Sequence, residues 1–401
     1  MPGIINGGGP RGPTPPLINR FHMSTLVRSA SALSLATLLS PGLALAQGTD
    51  VTVDVGGRVM IDYTVADIDN PAAGLPDDIS ASEVRRARIF LKGKYGSRID
   101  YKVEFEGAGG DVELTDAYLQ FKPVDGPLKI KVGQFNTHNS LDELTSSRFS
   151  STIERAAFTD AFGFQRRLGV AVATSGSNYT LDAGLFGTNI QSDGGPDEGM
   201  AASARATFNP VKTDDTLVHL GASWRYREAG DTEGDLRYRQ RPYTHASPFR
   251  IINTGRFADS DNLIGVEAAG MVGSAWAAGE YALLGADGAG AAQDGDFDAF
   301  YAEVGYFFGG RRGYKGGKFV RPTVDAPLGS GGLGAISVVA RYDSIDLEDG
   351  PYLGTLDTVV LGADWWPTAY TKLRLNYFNA DAENGVADSA EGFVARLGFD
   401  F

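Results

Sequence analysis

The sequence predicts an all-β fold, a transmembrane antiparallel up-and-down β-barrel of about 16 strands. Three observations lead there. Apolar and polar residues alternate along most of the chain. The alternating segments have the length of strands that cross a membrane at a tilt. Beyond the N-terminal region, no apolar run reaches the roughly 18 residues that a membrane helix needs. In a barrel, lipid-facing and lumen-facing residues alternate, so a sliding hydropathy window averages them and the chain reads as polar.

The N-terminal segment reads as separate from the fold. Arg28 precedes an apolar run from Ala30 to Leu45 that ends in Ala44-Leu45-Ala46. A basic n-region, a short apolar core and an A-x-A site make a secretory signal peptide, expected over residues 23–46 with cleavage after Ala46. Residues 1–22, rich in Gly and Pro, read as a non-native or disordered N-terminal extension. The barrel domain is then 47–401.

The strands follow in order. Val51, Val53, Val55, Val59, Ile61 and Tyr63 share one face, with Thr52, Asp54, Arg58 and Asp62 on the other. Ile99, Tyr101, Val103 and Phe105 oppose Asp100, Lys102, Glu104 and Glu106. The last segment sets Phe393, Ala395, Leu397, Phe399 and Phe401 against Val394, Arg396 and Asp400. Period-2 patterns of this kind start near Val51, Val84, Ile99, Val112, Leu128, Leu168, Asn178, Ala202, Thr216, Asn262, Ala275, Phe297, Gly334, Leu356, Thr371 and Gly392. Tight turns are expected at Gly96-Ser97-Arg98, Ser175-Gly176-Ser177 and Pro367 to Tyr370, and longer polar loops at 64–83, 136–167 and 228–261. Such alternation of short turns and long loops fits a barrel with a periplasmic and an outer end. Residues 309–331 are long where a short turn is expected. Aromatics near strand ends (Tyr63, Tyr95, Trp224, Tyr226, Trp365, Trp366, Tyr377 and Phe399) suggest two interfacial girdles. A soluble barrel would need its interior filled, and a closed sheet of 16 strands is too wide for side chains to fill.

Composition narrows the function. With no cysteine in 401 residues there is no disulfide scaffold and no thiolate chemistry. The net charge of −14 argues against a nucleic-acid partner. The histidines His22, His138, His219 and His245 lack metal-ligand spacing, and no nucleophile elbow occurs. Gly329, Gly331 and Gly334 satisfy G-x-G-x-x-G, but no helix pattern follows and they read as a flexible loop. Neither an enzyme nor a cofactor is expected.

Charge placement is the remaining signal. Arg86, Arg88, Lys92 and Lys94 share one face of the second strand, opposite Ala87, Ile89, Leu91 and Tyr95. A charge facing lipid at mid-membrane costs about 2–4 kcal/mol, so this face looks into the lumen. The same argument turns Lys129, Lys131, Arg225, Arg227, Lys372 and Arg374 inward, together with Asp100, Glu104, Glu106, Glu267 and Glu303. In the loop after the ninth strand stands Arg237-Tyr238-Arg239-Gln240-Arg241. Extended backbone would align its three arginines about 7 Å apart, a row of weak sites for an oxyanion. Removing all three is expected to turn the lumen toward cations, with Asp100, Glu104 and Glu106 dominant.

From Val84-Arg85-Arg86-Ala87-Arg88, Val132-Gly133-Gln134-Phe135, Leu144-Thr145-Ser146-Ser147-Arg148, Ile153-Glu154-Arg155, Arg341-Tyr342-Asp343-Ser344-Ile345 and the terminal Phe401, the chain resembles the phosphate-selective porins O and P of bacterial outer membranes. The resemblance implies a homotrimer of 16-stranded barrels in outer-membrane lipid, with inward-folded constriction loops. It further implies a channel for inorganic phosphate or other small anions. Arg237, Arg239 and Arg241 match the rungs of an arginine ladder, Arg85 and Arg86 a pair on the second strand, and Arg148 a basic constriction position. His245 stands where a further ladder arginine is expected, with Arg250 or Arg256 as a substitute. Two other readings remain open: a weakly selective porin, and a structural or adhesive barrel.

Overall fold

Alternating chains satisfy their backbone only by pairing with neighbours, and in lipid the pairing has to close on itself. The computed structural model describes residues 51–191, 198–230 and 235–401. The expected extension and signal peptide lie outside these residues. In chain order the strands are β1 (Val51–Asp69), β2 (Asp78–Tyr95), β3 (Ile99–Glu106), β4 (Glu113–Phe121), β5 (Lys129–Asn136), β6 (Arg166–Ser175) and β7 (Tyr179–Phe186). They continue as β8 (Met200–Lys212), β9 (Thr216–Glu228), β10 (Arg239–Gln240), β11 (Ile252–Asn253), β12 (Ala258–Val272), β13 (Ala275–Gly288) and β14 (Gly295–Phe308). The last six are β15 (Gly310–Tyr314), β16 (Phe319–Val324), β17 (Ala335–Asp346), β18 (Thr355–Thr368), β19 (Thr371–Glu383) and β20 (Ser389–Asp400). Sixteen form one closed antiparallel barrel in sequence order, with β20 returning to β1; β10–β11 and β15–β16 are separate two-stranded ribbons.

Each wall strand shows a side-chain period of two. In β20, Phe393, Leu397 and Phe399 are about half exposed, whereas Val394 and Arg396 are buried. Its exposed row is apolar, and its buried row carries Arg396 and Asp400, the inverse of a soluble barrel. Trp366 departs from the girdle expectation. It follows Trp365, so it points inward, where it is buried with Trp276 and Phe307. Gly57 and Phe401 exchange backbone hydrogen bonds at 3.1 and 3.2 Å, joining the last residue to the first strand.

The connections differ from expectation in one respect. The loop expected over 64–83 shrinks to 70–77, because β1 and β2 stay paired from Val51↔Tyr95 to Asp67↔Asp78. Hairpin pairing needs no apolar face, so the wall continues past the point where hydrophobic alternation stops. The three longest connections are 137–165, 229–257 and 309–334, and all three make contacts inside the barrel. Residues 309–331, unexplained by sequence, form the β15–β16 ribbon at the short-turn end. Its Tyr314 hydroxyl meets His219 Nδ1 at 2.7 Å and its Arg312 bonds Glu303 on the wall. Gly329, Gly331 and Gly334 all take positive φ in the return from that ribbon.

Candidate functional site

The connection 137–165 crosses the lumen and is fixed by buried charges on the wall. Ser140 sits at φ 63° and its hydroxyl accepts from Glu143 N, opening the short helix Leu141–Leu144. Glu280 of β13 accepts hydrogen bonds from Leu141 N (2.9 Å), Asp142 N (2.7 Å) and Ser140 Oγ (3.1 Å). Across the barrel, Arg374 donates to Ser150 O and Thr152 O, Arg396 to Ile153 O, and Arg341 to Ser151 Oγ. Each of these arginines also has a carboxylate on the wall: Asp364, Asp62 and Glu303 respectively. Burial and hydrogen bonding fully engage them, so they hold the loop in place.

Arg85 and Arg86 cannot share a side in a regular strand. Here β1 and β2 slip register between Met60 and Ile61: Met60 pairs with Arg86 and Ile61 with Val84, leaving Arg85 as the extra residue of a bulge. A bulge re-aims the side chains it carries. Both arginines therefore line the lumen. Arg85 makes a two-point contact with Glu154 of the crossing loop, at 3.2 and 3.0 Å. Burial alone would raise the Glu154 carboxyl, but the Arg85 charge and hydrogen bonds bring it down to about 2. Arg86 lies 3.8 Å from Glu106, and Arg148 lies 3.5 Å from Asp400 and over the Phe149 ring.

The connection 229–257 carries the arginine row. Leu236, Tyr238 and Gln240 are buried, while Arg237, Arg239 and Arg241 are partly open. The segment is thus extended with its arginines on one side, as the sequence suggested. The reason is packing: Tyr238 is fully buried against Phe162, Phe257 and Phe297, and its hydroxyl donates to Asp261 at 3.1 Å. Burial, followed by the neighbouring cations Arg256 and Arg250, pushes the Arg237 guanidinium below its usual range, and burial, followed by Arg250, does the same to Arg239 and Arg241. Arg250 and Arg256 therefore lie close enough to the row for their charges to act on it. His245 does not extend it, because its ring bonds Glu83 at 2.8 Å. Among the described residues, neither Arg237 nor Arg239 has a carboxylate within ion-pair distance. Arg241 lies 3.7 Å from Asp160, to which Arg250 also bonds.

Four of the six residues singled out by sequence, Arg85, Arg86, Arg148 and Arg241, line one cavity of about 700 Å³; Arg237 and Arg239 stand along the row beside it. The lining holds twelve Lys and Arg against seven Asp and Glu, although the whole chain is acidic. Sequence reasoning missed Lys318, at the tip of the β15–β16 ribbon, and Arg166, bonded to Asp116 at 2.6 Å. Only the unexplained length of 309–331 pointed to the first. Planar guanidiniums with open coordination can take oxyanion oxygens two at a time, and they stay charged at any physiological pH.

Comparison with known proteins agrees with this architecture. The family model described as "Phosphate-selective porin O and P" matches residues 53–401. An uncharacterised protein of Caulobacter vibrioides is 37% identical over 366 residues, covering 86% of this chain and 73% of the relative. Porin O of Pseudomonas aeruginosa is 26% identical, covering 95% of this chain and all of the relative. An anion-selective porin from Comamonas acidovorans shares the fold at TM-score 0.57 and 13% identity, over 88% of this chain and 100% of that one. OmpT of Vibrio cholerae in a trimer form gives TM-score 0.56 at 14% identity, over 88% and 99%.

Proposed function

The chain belongs to the phosphate-selective porin O and P family of bacterial outer-membrane porins, and from that premise we propose that it is a passive channel for anions, with phosphate or oligophosphate preferred. Arg237, Arg239 and Arg241 lead the ion inward, and Arg85, Arg86 and Arg148 surround it at the constriction. The observation that carries this reading is the row itself. Its guanidiniums crowd one another, and Arg237 and Arg239 have no carboxylate partner among the described residues. Like charges held together lower their mutual repulsion when an anion sits between them. Several equivalent sites let the ion step onward rather than stay bound. The working form is a homotrimer, the state named for one Vibrio cholerae structure of the same fold.

The test is the zero-current potential under a salt gradient, with phosphate block of the chloride current, for wild type and for the variant with Arg237, Arg239 and Arg241 all changed to Ala. Anion preference should fall toward none. It should not invert, contrary to the reading from sequence, because the carboxylates named there are paired: Glu104 bonds Arg88 and Lys102, Glu106 bonds Arg88, and Asp100 lies 3.1 Å from Lys122. Equal preference in both proteins removes the row from the mechanism. The weakly selective porin is the second reading. It is favoured by the seven carboxylates in the cavity lining and by His245, which lies against Glu83 where the ladder would continue.

A further inference from the structure

Arg241 and Arg250 share a counter-charge, and it comes from a different part of the chain. Asp160 lies in the short helix Ala157–Ala161 of the connection 137–165. Its Oδ2 bonds Arg250 and lies 3.7 Å from Arg241, both on the connection 229–257. Other lumen carboxylates that bind arginine are much less exposed: Glu154 is 18% exposed beside Arg85, and Asp261, with Arg225 and Arg227, is fully enclosed. The Asp160 side chain is 47% exposed, and it lines the cavity at the point where the row reaches it. An ion pair this open costs little to separate, because water replaces either partner.

We propose that Asp160 is the exchangeable counter-ion of the arginine row and sets how long a permeating anion is held there. The proposal rests on the anion-channel reading above. Clustered guanidiniums without a counter-charge would bind a multivalent oxyanion and release it slowly, and conduction needs release as much as capture. An anion arriving at Arg241 and Arg250 displaces the carboxylate into water. As the anion moves on, Asp160 returns and neutralises the pair, so the departing ion leaves a site that no longer attracts it. Among the described residues Arg241 and Arg250 have no other carboxylate within ion-pair distance, and Arg237 and Arg239 have none, so the effect should trace to this side chain.

The experiment compares wild type with Asp160→Asn and Asp160→Glu in planar bilayers, titrating inorganic phosphate against a chloride current. Asp160→Asn should lower the phosphate concentration for half-block by about two- to fivefold, the value of a partly exposed ion pair. It should also lower the current carried by phosphate alone at saturation. Asp160→Glu should stay near wild type. A contact that merely ties the two connections together would give the opposite sign: its loss would loosen the constriction, raise chloride conductance and weaken the block. Unchanged or weakened block in Asp160→Asn, with wild type still blocked by phosphate, overturns the role of Asp160 and leaves the channel reading standing. Absence of both phosphate block and anion preference in wild type overturns the two together.

Discussion

The arginines of β17, β19 and β20 and those of the 229–257 connection face the same lumen but differ in their partners. Arg341, Arg374 and Arg396 are each buried, each matched by a wall carboxylate, and each bonded to the crossing loop. Arg237 and Arg239 are partly open and crowd against other cations. The same side chain thus serves as a rivet in one place and, in the other, is left without a carboxylate partner among the described residues, which is the arrangement proposed above for the ion site. Facing the lumen does not by itself distinguish the two groups; how far each charge is already matched and buried does.

The largest expected effect is on the riveting side. Arg374→Ala leaves Asp364 buried and uncompensated and frees Ser150 and Thr152 of the crossing loop, at a cost of about 3–5 kcal/mol. The midpoint of the heat-induced gel shift should drop by many degrees. A midpoint within error of wild type would erase the difference between the buried, paired arginines and the open row. Next comes Glu154, whose carboxyl is held at about 2 against an ordinary 4.5. A depressed value means stabilisation that is complete above about 4.5 and lost as pH falls through 2. Thermal midpoints should therefore be level from neutral pH to about 5 and decline below, and Glu154→Gln should remove that part of the decline, on the order of 2 kcal/mol.

On the conducting side the expected changes are smaller and of another kind. Arg239→Ala should weaken phosphate block by roughly 1–2 kcal/mol, as expected for a charged hydrogen bond, with no change in the gel-shift midpoint. A fall in stability there would place Arg239 with the rivets. The smallest effect belongs to Arg98, exposed in the turn after β2 and paired with the open Asp125. Arg98→Ala should change both readouts by less than about 0.5 kcal/mol, which makes it the control for charge removal as such.

The barrel was legible because strand alternation is local. Each of the sixteen expected starts falls at, near or within an observed wall strand, the largest offset being Val84 against Asp78 in β2. The same locality explains the row, since Arg237, Tyr238, Arg239, Gln240 and Arg241 alternate whatever surrounds them. The inward direction of Arg85 was not legible from alternation, because it depends on a slipped register with β1 that no spacing within β2 records. Nor was the place of Lys318, which is brought to the cavity by a ribbon docked through Tyr314 on His219 and Asn209, over 90 residues earlier. Arg250 joins the row through the return of its own loop, and Asp160 through a second loop. Contacts of that range carry no signature in a single sequence.

One feature bears on how the molecule comes into being. The ring is sealed by β1 against β20, with Arg58 opposite Asp400 and Gly57 bonded to Phe401. Until that seam forms, both end strands present rows of unpaired backbone groups, the kind of edge that recruits foreign strands. The two sides of the seam are separated by nearly the whole described chain, so their meeting is the slowest kind of contact for a polypeptide to find. Such a wall cannot be laid down strand by strand as the chain emerges. The polypeptide has to be kept apart from its own copies until its last strand reaches its first.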